Sequence, residues 1–209
     1  MLKFMNLCHA PLTNWGLSLL DIQEGRTMLD IGCGGGATLR RLLKRSKGGM
    51  VYGIDISEES VAKARKVNAA VLDKQVFVTQ GSAEKLPYED WKFDLVTAVE
   101  TIYFWPNLPQ CLQEVRRVLK PGGHLSIVEL TAPPHFPMKQ LFAVYSHVVL
   151  PTYGRLISKD KSAYTYLTKT IEAFPQGEQM VGILQKAGFS KATFRRLTFG
   201  ICTMYFATK

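Results

Sequence analysis

Cysteine is scarce in this chain. Cys8, Cys33, Cys111 and Cys202 lie far apart and form no CxxC pair. That spacing argues against a disulfide framework and a zinc site, so each thiol is read as a small, reduced, semi-buried side chain and no metal is expected. Long apolar runs are also missing. The best candidate, Phe136 to Leu150, is broken by Pro137, Lys139, Gln140, Ser146 and His147, which excludes a bilayer span. The opening Met-Leu-Lys-Phe-Met-Asn has no apolar core followed by a small-residue cleavage site, so the expected location is cytoplasmic. There is no internal repeat, low-complexity tract or linker, and no helix-turn-helix, zinc-finger or RNA-binding signature.

Acidic residues are in deficit, 17 against 26 Lys and Arg, for a net charge of +9. Arg40, Arg41, Lys44, Arg45 and Lys47 form one basic cluster, and Arg116, Arg117 and Lys120 another. Two readings stay open: solvated helix faces, or attraction to an anionic surface such as membrane lipid or nucleic acid. With 209 residues, 46% hydrophobic and 21% charged, the chain is expected to fold as one domain.

What is present is an alternation of β-rich and helical runs. Thr27–Ile31, Met50–Ile56, Gln75–Thr79, Phe93–Val99 and His124–Leu130 read as strands. Between them, Ala37–Lys47, a segment from Ser57 carrying Val61, Ala62, Ala64 and Val67, and Cys111–Leu119 read as helices, with Ser57 as an N-cap. Lys120-Pro-Gly-Gly123 is a strong helix stop. This rhythm implies a mostly parallel sheet covered on both faces. A helical insertion breaks it before a last helix, Glu178–Ala187, and two runs, Ala192–Thr198 and Ile201–Ala207, which predict a C-terminal antiparallel hairpin.

The most informative segment is Met28-Leu-Asp-Ile-Gly-Cys-Gly-Gly-Gly-Ala37, where a strand meets a helix across a glycine cluster. Gly32 and Gly34 let a ligand lie against the backbone, and the next helix offers free N–H groups. Gly53-Ile-Asp55 ends the second strand in an acid that can accept both hydroxyls of a ribose. A dinucleotide or an adenosyl sulfonium suits this geometry. Asp30 favours the latter, because a carboxylate near the loop suits a cationic amino acid moiety and repels a pyrophosphate.

In these residues the chain resembles the class I methyltransferases. Gly81-Ser-Ala-Glu-Lys-Leu-Pro87, Phe93–Glu100 and Leu119-Lys-Pro-Gly-Gly-His-Leu125 match that family's later motifs in order and spacing. Leu150–Leu167, Ile171-Glu-Ala-Phe-Pro175, Ala187-Gly-Phe189 and Thr198–Ile201 resemble the ubiquinone and menaquinone biosynthesis C-methyltransferases. The resemblance implies a Rossmann-like α/β fold with a mostly parallel seven-stranded sheet and a helical insertion before the last two strands. It implies an N-terminal helical cap over 1–25, a cofactor core over 26–130, a helical acceptor-side insertion over 131–175, and the final helix and hairpin over 176–209. The implied cofactor is S-adenosyl-L-methionine, with Gly32 and Gly34 bordering its methionine portion and Asp30 nearby. Asp55 would hold the ribose, Ile56 the adenine face, Ser82 and Ala83 the adenine edge, and Val99 and Glu100 would adjoin the methyl.

Two departures stand out. Ser82 occupies a position where the family often has Asp, and Thr101-Ile-Tyr-Phe-Trp-Pro106 replaces a glycine- and arginine-containing stretch. The implied partner is a small, aromatic or quinol-like acceptor, prenylated quinols included, together with peripheral contact with an anionic membrane. The acceptor side is rich in aromatics and polar groups (Asn6, His9, Trp15, Tyr103, Phe104, Trp105, His135, Tyr145, His147, Tyr153, Tyr164, Tyr166). His147 is the first candidate base and Tyr103 the second.

Rival readings are an NAD-dependent reductase, on the Tyr88/Lys92 Y-x-x-x-K spacing, a non-catalytic cofactor-binding protein, and methylation of another small molecule, RNA or protein. The first lacks its helix, and no Asn-Pro-Pro-Tyr-like motif follows the fourth strand to favour base or glutamine methylation.

Overall fold

The computed structural model describes residues 13–146, 170 and 174–209. Seven strands form one sheet in the order β3-β2-β1-β4-β5-β7-β6. They are β1 (Thr27–Ile31), β2 (Met50–Asp55), β3 (Val76–Gln80), β4 (Phe93–Val99), β5 (Leu119–Leu130), β6 (Ser190–Leu197) and β7 (Cys202–Thr208). The first five pair in parallel, whereas β7 runs antiparallel between β5 and β6. The chain winds outward from β1 to β3 and then restarts at β4 on the other side of β1. That reversal opens a crevice at the C-terminal strand ends.

Among the described residues α1 (Ala37–Arg45) and α2 (Glu58–Val67) pack in one core cluster and α3 (Leu108–Val118) and α5 (Glu178–Lys186) in another, whereas α4 (Met138–Val144), which follows β5, buries no residue. The strand pleat sorts the core. In β1, Met28 joins Leu39 and Leu42 of α1, while Leu29 and Ile31 join Leu112 and Val115 of α3 and Met180 and Leu184 of α5. Buried Leu17, in a helical segment over 13–18, packs in the α1 cluster.

Local chemistry sets the element ends. Ser57 caps α2, its side chain accepting from Ser60 N at 3.2 Å, with Glu58 and Glu59 in the first turn. The third helix begins at Leu108, before the expected Cys111, because Asn107 caps it and Pro109 is tolerated in the first turn, where no intrahelical N–H is needed. The Pro-Gly-Gly stop ends α3 as expected. The strand nevertheless starts at Leu119 rather than His124, because Lys120 to Gly123 are absorbed as an irregularity between the Phe93–Leu119 and Leu95–His124 pairs. Of the helical insertion, α4 lies among the described residues, and most of the remainder lies outside them.

Candidate functional site

At the switch point lies a cleft of about 400 Å³, walled by the glycine loop after β1, the ends of β2 and β4, the turn after β3 and the residues following β4. The loop is held by backbone bonds. Gly32 N and Cys33 N donate to Ile54 O at 2.8 and 3.1 Å, and Gly36 N to Cys33 O at 2.9 Å. Gly32 and Gly34 of the loop both adopt left-handed backbone, and at Gly32 a side chain is also excluded by contact. Gly32 has φ +74°, and a Cβ there would lie 2.1 Å from Thr101 Oγ1. Gly34 has φ +51°, and its absent Cβ leaves open space beside the cleft.

Asp55 ties this loop to the next helix. Its Oδ2 accepts from Gly34 N at 2.8 Å and its Oδ1 from Ser57 N at 2.9 Å. Each carboxylate oxygen keeps a second lone pair for a ligand hydroxyl. Beside it Ile56 is 73% exposed, an apolar side chain left at the cleft wall. Across the cleft, Ser82 Oγ accepts from Glu84 N at 3.2 Å. This segment is clamped by α3, where Glu114 accepts from Leu86 N at 2.9 Å and Arg117 donates to Leu86 O and Tyr88 O at 3.0 and 2.7 Å.

Gly32, Gly34, Asp55, Ile56, Ser82, Ala83, Val99 and Glu100 all line the cleft. Asp30 does not: it is 2% exposed, with Thr97 Oγ1 donating to its Oδ1 at 2.6 Å. Burial pushes this carboxyl up to about 7, against the Thr97 hydrogen bond, with Asp55 raising it further and Arg41 lowering it. Its influence on the cleft is therefore a field from below rather than a contact. His147 lies outside the described residues, as do Asn6, His9, Tyr153, Tyr164, Tyr166 and Cys8.

Tyr103 sits in a 3₁₀ turn, Ile102–Phe104, and is not a cleft-wall residue. Burial and the adjacent Glu129 hold its phenol protonated far above the ordinary range. A phenol so held donates a hydrogen bond; it does not take a proton at neutral pH. The wall beside it is aromatic: Phe104, 54% exposed, and Trp105 line the cleft, and Tyr103 meets Phe104 and Phe174 edge-on at 5.3 and 5.7 Å.

Sequence reasoning missed Glu129. It is buried in β5, and its Oε1 accepts from Thr101 N and Ile102 N at 2.8 and 2.7 Å, fixing the turn after β4. Burial pushes this carboxyl up to about 8. The available signal was an acid inside the apolar run Leu125–Leu130, a place where charge is costly unless it serves the backbone or a site. Arg41 belongs to the basic cluster of α1 and also lines the cleft.

The rival signals fall elsewhere. Tyr88 is not a cleft-wall residue and packs among Tyr52 and Phe93, with Lys92 Nζ 4.3 Å from the Tyr52 ring centroid. Arg117 and Lys120 are paired with Glu114, Asp90 and Asp94, so the second basic cluster is partly internal structure rather than free charge. Among the described residues no group of three metal-ligating side chains occurs, and Cys33, Cys111 and Cys202 are buried and free.

Strand order, glycine loop and acid-ended second strand together define a Rossmann-like α/β protein with a cleft at its switch point. The chain belongs to the ubiE/COQ5 methyltransferase family, whose profile it matches over residues 13–209. It is 49% identical over 160 residues to a demethylmenaquinone methyltransferase of Bacteroides fragilis, covering 76% of this chain and 65% of that protein. It is 38% identical over 182 residues to the Chlorobaculum parvum demethylmenaquinone methyltransferase, covering 87% and 73%. In fold it is similar to the crystal structure of a SAM-dependent methyltransferase from Aquifex aeolicus, with a TM-score of 0.68 at 24% identity over 94% of this chain and 88% of that one. The chain thus spans just under two thirds of the length of its Bacteroides relative.

Proposed function

We propose that this chain binds S-adenosylmethionine in the switch-point cleft and directs its methyl group to a small quinol-like aromatic acceptor. The observation that carries the reading is the pairing of an open glycine cradle at Gly34 with the Asp55 carboxylate bonded to it across the β1 and β2 ends. The residues fit the group. Gly32 and Gly34 would border the methionine portion above the Asp30 field, and Asp55 would receive the ribose. Ile56, Ser82 and Ala83 would receive the adenine, and Val99 and Glu100 would adjoin the methyl.

When bound, S-adenosylmethionine supplies a methyl group activated by its sulfonium. The chain's own work is alignment and exclusion of water. Glu129 holds the Thr101–Ile102 backbone, and with it the turn that presents Phe104 and Trp105 at the cleft. An aromatic wall of this kind suits a flat acceptor. Removal of a proton from the acceptor falls to His147 in this reading. The names of the Bacteroides and Chlorobaculum relatives support the quinone class. Among the described residues no helix is long and apolar enough to cross a membrane, so a prenylated acceptor would be met at the membrane surface by peripheral contact.

Calorimetric titration with S-adenosylhomocysteine and separately with NADH is the first test. Binding of the former alone is expected, followed by labelled-methyl transfer to a demethylated menaquinol. Binding of NADH alone would overturn the cofactor reading. Cofactor binding without transfer to quinols would overturn the acceptor reading.

A further inference from the structure

The methionine end of the cleft is bipolar. Beneath the glycine loop lies the buried carboxyl of Asp30, and on the wall, one turn along α1 from Thr38, lies Arg41. Arg41 is half-buried, and among the described residues no carboxylate lies within ion-pair distance of it. Arg117, by contrast, spends its guanidinium on Glu114, Asp90 and two carbonyls. Arg41 is not among the α1 residues that pack in the core, which are Leu39 and Leu42 with Leu43 partly buried against them. Partial burial and neighbouring Arg45 both disfavour the charge, and Asp30 alone favours it. A guanidinium kept in such surroundings without a close anion is arranged for one that arrives.

We propose that Arg41 binds the free carboxylate of the cofactor's amino acid end, so that Arg41 and Asp30 together read a zwitterion. This rests on the cofactor assignment above and names the residue that distinguishes a cofactor with an intact amino acid from one without it. Thr38, one turn before Arg41 on α1, also lines the cleft. An anionic acceptor is the other ligand that Arg41 could attract, and the experiment separates the two.

The probes are S-adenosylhomocysteine and 5′-methylthioadenosine, which share adenine, ribose and thioether and differ in the amino acid end. Titration of Arg41→Gln is expected to show affinity for S-adenosylhomocysteine reduced by about tenfold or more, the scale of a lost charge-assisted hydrogen bond. Affinity for 5′-methylthioadenosine should be unchanged. Arg41→Lys should recover part of the loss, and Arg40→Gln, which removes the same charge from the exposed face, should recover wild-type binding of both. Unchanged S-adenosylhomocysteine affinity in Arg41→Gln, or equal weakening of both probes in a variant with wild-type thermal stability, would overturn the proposal. Wild-type protein that binds neither probe would instead overturn the cofactor assignment.

Discussion

Two carboxyls with opposite surroundings organise the cleft. Asp55 is placed at its wall with one backbone donor on each oxygen. In the proposed complex its spare lone pairs take the ribose hydroxyls. Asp55→Ala should therefore weaken S-adenosylhomocysteine binding by about 1–3 kcal/mol, measured by calorimetry. Unchanged affinity would move the ribose elsewhere. Asp30 is buried, and its carboxyl is about half protonated near pH 7. A ligand bearing an ammonium at that end of the loop lowers the Asp30 pKa, so binding expels a proton. S-adenosylhomocysteine affinity should thus rise between about pH 6 and 7.5 by proton linkage. Titrations in two buffers of different ionisation enthalpy should detect the released proton, and Asp30→Asn should abolish it. No proton release in the wild type would mean that the ligand's amine lies away from this carboxyl.

At the scale of elements, the cleft depends on turns held by distant side chains. The adenine-side segment is clamped by Glu114 and Arg117 from α3, and the turn after β4 is held by Glu129 from β5. Glu129 has a linkage consequence whose sign is fixed by its raised pKa. The folded state retains a proton that the unfolded chain releases above its ordinary range near 4.5. The stabilisation is fully present below that range and is lost as pH rises through about 8, and Asp30 adds the same slope up to about 7. Asp94 and Glu114, whose pKa values are lowered by hydrogen-bonded cations and backbone donors, act in the opposite sense, losing their contribution in acid. Glu129→Gln keeps an Oε1 acceptor for both backbone donors and removes the titration. Its thermal midpoint should match wild type near pH 5 and exceed it near pH 8.5. A midpoint below wild type at both pH values would mean that the carboxylate itself is required.

For the molecule as a whole, the charge of +9 is unevenly spent. Arg117 and Lys120 are occupied by ion pairs, whereas Arg40 and Lys44 on α1 are exposed. Apolar side chains also face outward, Leu141 and Val144 of α4 and Phe136 before it. With a prenylated acceptor, this combination predicts reversible attachment to anionic bilayers. Flotation should recover the protein with phosphatidylserine-containing vesicles at low ionic strength and lose it at about 0.5 M salt, where the Debye length falls to a few ångströms. Equal recovery with neutral vesicles would assign the attachment to the apolar residues alone.

Read alone, the sequence determined whatever depends on neighbours along the chain. Period-two and period-3.6 patterns located all seven strands and set the bounds of β1 and β4, Ser57 announced its helix, and Gly32, Gly34 and Asp55 marked the cleft. The helix stop at Lys120 was equally legible, but the strand it feeds was not, since pairing with Phe93 extends β5 back to Leu119. Tertiary structure alone decided that β7 lies between β5 and β6, that Asp30 sits under the loop rather than in the cleft, and that Arg41 faces the cleft while Arg117 is tied down. The same holds for Glu129, whose backbone partner Thr101 is 28 residues away. Local propensity and turn chemistry act within a few residues, whereas the burial and pairing that give these side chains their charge state arise only when separate strands pack side by side.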